Sequence, residues 1–147
     1  MNRNARSLFV GATLLVSSTL SLADDLNSAC LSHFTVEGSF LAGKKYNTWA
    51  ELPGVSMADA YARIYATVAK DGWSIAQADK DSGVISATEQ VSYGKGAQAP
   101  LTIVIETTQG GSKASITFRT AGGQTAGGDL IHSKFCNYLG SAASSQH

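Results

Sequence analysis

The sequence predicts an α+β fold: an antiparallel β-sheet of about five to six strands with two α-helices packed on one face. Two segments carry apolar residues at the helical spacing of three and four, and four segments between them alternate apolar and polar residues as strands do. The chain has 147 residues, enough for one hydrophobic core but not for two full domains. Fifteen glycines against two prolines favour tight turns over a disordered linker.

The first 23 residues have the form of a secretory signal peptide. Arg3 and Arg6 precede an apolar run over residues 8–22, and small residues stand at the end of that run. The run is shorter than the roughly 20 apolar residues that a membrane-spanning helix needs, so we expect no span once the signal is removed. Cleavage after Ala23 would leave a mature chain that begins at Asp24 and resides in the periplasm or is secreted.

The charge balance argues against a nucleic-acid ligand. Eleven Lys and Arg residues stand against eleven Asp and Glu residues. Removal of the signal takes away two arginines, which leaves nine basic and eleven acidic residues and a net charge of −2. Such a chain has no basic field that would attract a phosphate backbone.

The mature chain contains two cysteines, Cys30 near its start and Cys136 near its end. Exported proteins meet an oxidising compartment, so a disulfide between these two residues is the expected state, without metal. A zinc site is the alternative, because His33 follows Cys30 in a C-x2-H pattern and His132 precedes Cys136 in an H-x3-C pattern.

The first elements are one or two strands and a helix. Alternation over residues 34–40 and strand formers over 45–49 predict the strands. Ser56 and Asp59 form a capping-box pattern that starts the helix, and Gly72 ends it. The apolar face of this helix consists of Tyr61, Ile64, Tyr65 and Val68.

Two β-hairpins and a second helix complete the fold. The hairpin strands are residues 73–77 with 84–91 and residues 101–106 with 114–119. A glycine-rich connection over residues 122–128 leads into a helix that starts at Asp129 and carries Cys136. The tail from Ser141 to His147 is small and polar, and it is expected to fray.

The segments 71–75 (DGWSI) and 79–87 (DKDSGVISA) resemble small exported bacterial domains of the BamC-like, helix-grip type. The resemblance covers about residues 53–119 and rests on residues with structural roles. It implies a sheet-and-helix fold and a setting in the cell envelope, where the BamC-like protein is a lipoprotein accessory of outer-membrane protein assembly. This chain lacks the lipobox, because Asn27 stands where a lipoprotein signal ending at Cys30 would have leucine.

The sequence contains no recognisable catalytic set, so we expect no enzyme activity and no cofactor. A Gly-X-Ser-X-Gly nucleophile motif is absent. The neighbouring carboxylates Asp79 and Asp81 stand in a polar turn, where water solvates both groups. General acid–base catalysis instead needs two carboxylates in different environments. The glycine-rich residues 122–128 contain no lysine that could meet a phosphate.

The remaining features favour a non-enzymatic protein-binding or envelope accessory protein. The long segment Val91–Pro100 carries Tyr93 and Lys95 among glycines, which suits a loop that reaches a partner. Tyr46 and Trp49 would add aromatic anchors if they face outward.

A carrier of small apolar ligands is the alternative function. Its pocket would lie between the helices and the sheet, and it would be lined by Tyr61, Tyr65 and Phe118. An apolar cavity of about 300 Å³ or more would favour the carrier, whereas a filled core with an exposed aromatic patch would favour a partner surface.

Overall fold

The computed structural model describes residues 22–90 and 98–144. Nearly all of the predicted signal peptide, the loop residues Tyr93 and Lys95, and the last three residues lie outside this part of the chain. The helices are α1 (Leu22–Ser32), α2 (Met57–Lys70) and α3 (Gly128–Ala143). The strands are β1 (Thr35–Ser39), β2 (Gly43–Pro53), β3 (Ser74–Asp79), β4 (Val84–Gln90), β5 (Gln98–Thr108) and β6 (Gly111–Arg119).

The six strands form one antiparallel sheet in the order β1-β2-β6-β5-β4-β3. The predicted α+β fold is confirmed, and so are the two hairpins between α2 and α3. Alternation decides which side chains are buried, since successive residues of a strand point to opposite faces. The buried apolar side chains of the sheet are Tyr46, Ala50, Leu52, Ile85, Ala87, Ala99, Leu101, Ile103, Ile105, Ala114, Ile116 and Phe118.

Helices α2 and α3 pack against each other and cover the buried face of the sheet. The predicted cap of α2 is confirmed, because the Ser56 hydroxyl accepts a hydrogen bond from the Asp59 backbone N–H at 3.1 Å. Gly72 follows the C-cap residue Asp71 at φ +89°, a left-handed conformation that suits glycine. None of the three described helices has both the length and the apolar character needed to cross a membrane.

The third helix, α1, is not among the predicted elements. It packs against α3 and β2, and its buried side chains are Leu26 and Cys30, four residues apart on one face. Cys30 is bonded to Cys136 of α3, 106 residues further along the chain, which confirms the predicted disulfide. Asp24 and Asp25 occupy the first turn of α1, where they interact favourably with the helix dipole.

Several predicted boundaries differ from the structure, in which β2, β5 and β6 are each longer than the predicted strands. Gln98–Pro100 belong to β5 rather than to the preceding loop. Pro100 pairs with Thr88 of β4, whereas the pairing of β5 with β6 begins at Leu101. Pro100 therefore has a partner strand on one side only, and such a position tolerates proline. The prediction of a frayed tail is wrong for residues 141–143, since α3 continues to Ala143 and buries Ala142.

A polar network joins the end of α2 to α3. The buried hydroxyl of Tyr138 accepts a hydrogen bond from Trp73 Nε1 at 2.7 Å and donates one to the Asp71 carboxylate. The same carboxylate accepts a hydrogen bond from Lys134 Nζ at 2.7 Å. Partial burial opposes ionisation of Asp71, but the hydrogen bonds from Lys134 and Tyr138 and the lysine charge outweigh it and hold the pKa of this carboxyl below its usual value.

This network predicts that acid destabilises the protein. The pKa of Asp71 is lower in the folded state than in the unfolded state, so the unfolded state takes up the proton first. The stabilisation is fully present above the unfolded value of about 3.9 and is lost as the pH falls through the folded value. We expect urea unfolding midpoints to fall as the pH drops below about 4, and to fall less steeply in Asp71→Asn. Equal pH dependence in the two proteins would contradict this assignment.

Candidate functional site

A groove lies between α1 and the far half of β2, and we call it the α1–β2 groove. β1 pairs only with residues 43–47 of β2, and α1 packs against the remainder of that strand. The groove has a volume of about 320 Å³. Its lining residues are Asp25, Leu26, Ala29, His33, Trp49, Glu51 and Pro53.

Trp49 is held rigidly at this groove. The imidazole ring of His33 stacks on the indole with ring centroids 3.6 Å apart and an interplanar angle of 10°. His33 Nδ1 also donates a hydrogen bond to the Trp49 carbonyl oxygen at 2.9 Å. Lys113 Nζ lies 4.4 Å from the centroid of the same indole, and because His33 covers one face, the ammonium group covers the other. The indole therefore offers an incoming ligand its edge rather than a free face.

Two carboxylates give the rim of the groove a negative charge. Asp25 lies on α1 and Glu51 on β2, and both side chains are exposed. Glu51 stands directly across the strand pair from Lys113, which is already placed over the Trp49 ring. An apolar groove with acidic groups at its rim suits an apolar side chain that is accompanied by a positive charge.

The other predicted aromatic anchor, Tyr46, does not face outward. Only 1% of its surface is exposed, and its hydroxyl donates a hydrogen bond to the Ala126 carbonyl oxygen at 3.0 Å. Its ring packs near Phe34 and Phe118 in the core. Tyr46 is therefore a core residue that ties β2 to the loop before α3, whereas Trp49, three residues later on the opposite face of the strand, lies at the groove.

The residues proposed for the alternative carrier pocket have separate surroundings. Phe118 is buried between Tyr46 and Trp73, so its ring fills the core instead of lining a cavity. Tyr61 is buried, while Tyr65 is 38% exposed and stacks loosely on Tyr61 with ring centroids 6.2 Å apart. A carrier that used the α1–β2 groove would therefore bind its ligand with residues other than the predicted ones.

A second, polar pocket of about 560 Å³ lies along α3 next to the disulfide. Its lining includes His132 and Cys136 of α3, Asn27 of α1 and Thr67 of α2. The sulfur atoms of both cysteines and a ring nitrogen of His132 lie within 4.8 Å of one another. The predicted four-residue zinc set is not assembled in this state, because the cysteines are bonded to each other and His33 is engaged with Trp49.

A scan against models of protein families finds no match to this chain, and a search of curated proteins finds no significant relative. Over the residues that the structure describes, the fold and the site define its class: an α+β domain with a six-stranded antiparallel sheet, three helices and an apolar groove at one side of the sheet.

The sequence does not predict the α1–β2 groove as a site, although it singles out two of the lining residues, Trp49 as an aromatic anchor and His33 as an alternative zinc ligand. Trp49 was singled out as an aromatic residue in a strand, but its neighbours Leu26 and Ala29 belong to the unpredicted helix α1. Leu26 precedes Ala29 by three residues and Cys30 by four, and this helical spacing is the signal available in the sequence.

Proposed function

We propose that this chain is an exported, non-enzymatic accessory protein of the cell envelope that binds a partner protein at the α1–β2 groove. The observation that carries the proposal is the combination of an apolar groove, a rigid indole and two rim carboxylates. The disulfide is consistent with an oxidising compartment outside the cytoplasm. The resemblance to BamC-like domains supports the envelope setting.

The size and charge of the groove favour a peptide segment as the ligand. The volume of about 320 Å³ reaches the size that would favour a carrier, but the groove lies beside α1 at one side of the sheet and not between the sheet and α2. A space of this size also accommodates one or two side chains of a peptide. Asp25 and Glu51 attract a Lys or Arg that neighbours the inserted residue on the same segment. The ligand is therefore an exposed segment in which an aliphatic or aromatic residue stands beside a basic one.

A peptide library displayed on phage and selected on the immobilised, oxidised protein tests this proposal. We expect the selected peptides to combine an apolar and a basic residue, and fluorescence anisotropy with the synthetic peptides to give saturable binding. Glu51→Lys should weaken that binding about tenfold or more, which is about 1.4 kcal/mol, because it replaces attraction with repulsion at the rim. Stability should change by no more than about 0.5 kcal/mol, since Glu51 is exposed.

Glu106→Lys is the matched control. Glu106 is also exposed and also stands across from Lys113, but on β5 and outside the groove lining. Both substitutions reverse one charge beside the same lysine, so only a ligand in the groove distinguishes them. Selected peptides that bind the two variants equally well would overturn the site.

The alternative functions are separate outcomes of the same assay. Saturable binding of an apolar amine such as dodecylamine, sensitive to Glu51→Lys, with no enriched peptide would favour the carrier. Binding that is lost on Tyr93→Ala with Lys95→Ala, yet unchanged in Glu51→Lys, would place the partner surface on the loop. That loop stays a prediction, because both residues lie outside the described residues.

A further inference from the structure

We propose that the reduced protein holds a zinc ion between the thiolates of Cys30 and Cys136 and the imidazole of His132. This site is independent of the α1–β2 groove. In the oxidised state the two sulfurs and a ring nitrogen of His132 already lie within 4.8 Å of one another. Two thiolates and an imidazole are a ligand set that zinc prefers in proteins.

The helix geometry places His132 next to Cys136. The two residues are four apart on α3, so their side chains share one face of the helix, and His132 Nε2 lies 3.4 Å from Cys136 Sγ. With Zn–S and Zn–N bonds of about 2.3 and 2.0 Å, a tetrahedral metal separates such a pair by about 3.5 Å. The ring of Phe34 packs edge-on against His132 with centroids 4.9 Å apart, which restricts the imidazole.

Metal binding requires prior reduction of the disulfide. A dithiol reductant supplies two electrons and two protons: the Cys30–Cys136 bond breaks, both residues become thiols, and the two sulfurs of the reductant join. Zinc then displaces the two thiol protons and accepts a lone pair from the neutral imidazole. Binding thus releases two protons and keeps the two sulfurs near each other after their covalent bond is gone.

The polar pocket supplies the fourth coordination position. Cys30 is fully buried, but Cys136 and His132 line the pocket of about 560 Å³, which is large enough to admit water. Three protein ligands and one water define an open site, from which zinc can exchange. His33 does not complete the set, because it stacks on Trp49 and bonds to its carbonyl oxygen.

The test uses the chain reduced with dithiothreitol, freed of reductant under anaerobic conditions and titrated with Co²⁺ and then Zn²⁺. We expect one equivalent of Co²⁺ to give thiolate-to-cobalt charge-transfer absorption and the visible bands of a tetrahedral site, and Zn²⁺ to displace it. His132→Ala should weaken zinc binding by at least about tenfold, since even outer-shell partners of a metal ligand are worth that much. The oxidised protein should bind neither ion.

His33→Ala is the matched control. It also distinguishes a folded zinc site from metal binding by a reduced chain that has partly unfolded. An unfolded chain would use either histidine, because each lies close in sequence to a cysteine, so the two variants would lose affinity equally. A folded site loses affinity only in His132→Ala. Equal losses in the two variants, or no charge-transfer absorption in the reduced parent protein, would overturn the proposal.

Discussion

Removal of the Cys30–Cys136 disulfide lowers the free energy of unfolding by up to about 4.7 kcal/mol, the value that the chain-entropy model gives for a loop of about 100 residues. The bond spans 106 residues and ties α1 to α3. Leu26 and Cys30 are the buried side chains among those described for α1, and the disulfide joins the second of them directly to α3. Urea unfolding of Cys30→Ala with Cys136→Ala, beside the oxidised parent protein, measures the loss.

The same variant tests the link between the disulfide and the groove. One side of the α1–β2 groove consists of three residues of α1 and of His33, which directly follows the helix. The α1 residues are Asp25, Leu26 and Ala29. Release of α1 should therefore also abolish binding of the selected peptides. Dithiothreitol should lower the urea unfolding midpoint of the parent protein and leave that of the double variant unchanged. If the midpoint of the parent protein is the same with and without reductant, the disulfide contributes no stability.

Tyr138→Phe has the second largest expected effect, a loss of about 1–3 kcal/mol. The substitution keeps the buried ring but removes the hydroxyl that accepts from Trp73 Nε1 and donates to Asp71. Trp73 is itself buried, so its indole N–H would lose its partner without gaining free access to water. Burial, and then the hydrogen bond to Asp71, raise the pKa of Tyr138 further above neutral, so the hydroxyl stays protonated well into the alkaline range.

Thermal and urea unfolding of Tyr138→Phe and Tyr65→Phe give the comparison. Tyr65 is partly exposed on α2, and loss of its hydroxyl should change stability by no more than about 0.5 kcal/mol. Asp71→Asn should cost less than Tyr138→Phe because the amide oxygen still accepts from Tyr138. Equal stability of the two Tyr→Phe variants would show that the buried network is not stabilising.

The sequence predicts those elements whose patterns are long and regular. Helix α2 has a capping box and apolar residues at helical spacing, and β5 and β6 alternate over many residues on either side of a glycine turn. α1 was missed because a helix of 11 residues with Leu26 and Cys30 as its buried contacts has a weak periodic signal.

By itself, the sequence determined the α+β class, the two hairpins, the caps of α2 and the pairing of the cysteines, because each depends on local pattern or on residue count. Only the tertiary structure decided which face of β2 the helices cover, and so made Tyr46 a core residue and Trp49 a groove residue. It also decided where the groove lies: β1 pairs with just five residues of β2, and α1, held by the disulfide, packs against the rest of that strand. The pairing of β2 with β6 and the docking of the helices join residues far apart in the chain, and no local pattern specifies them.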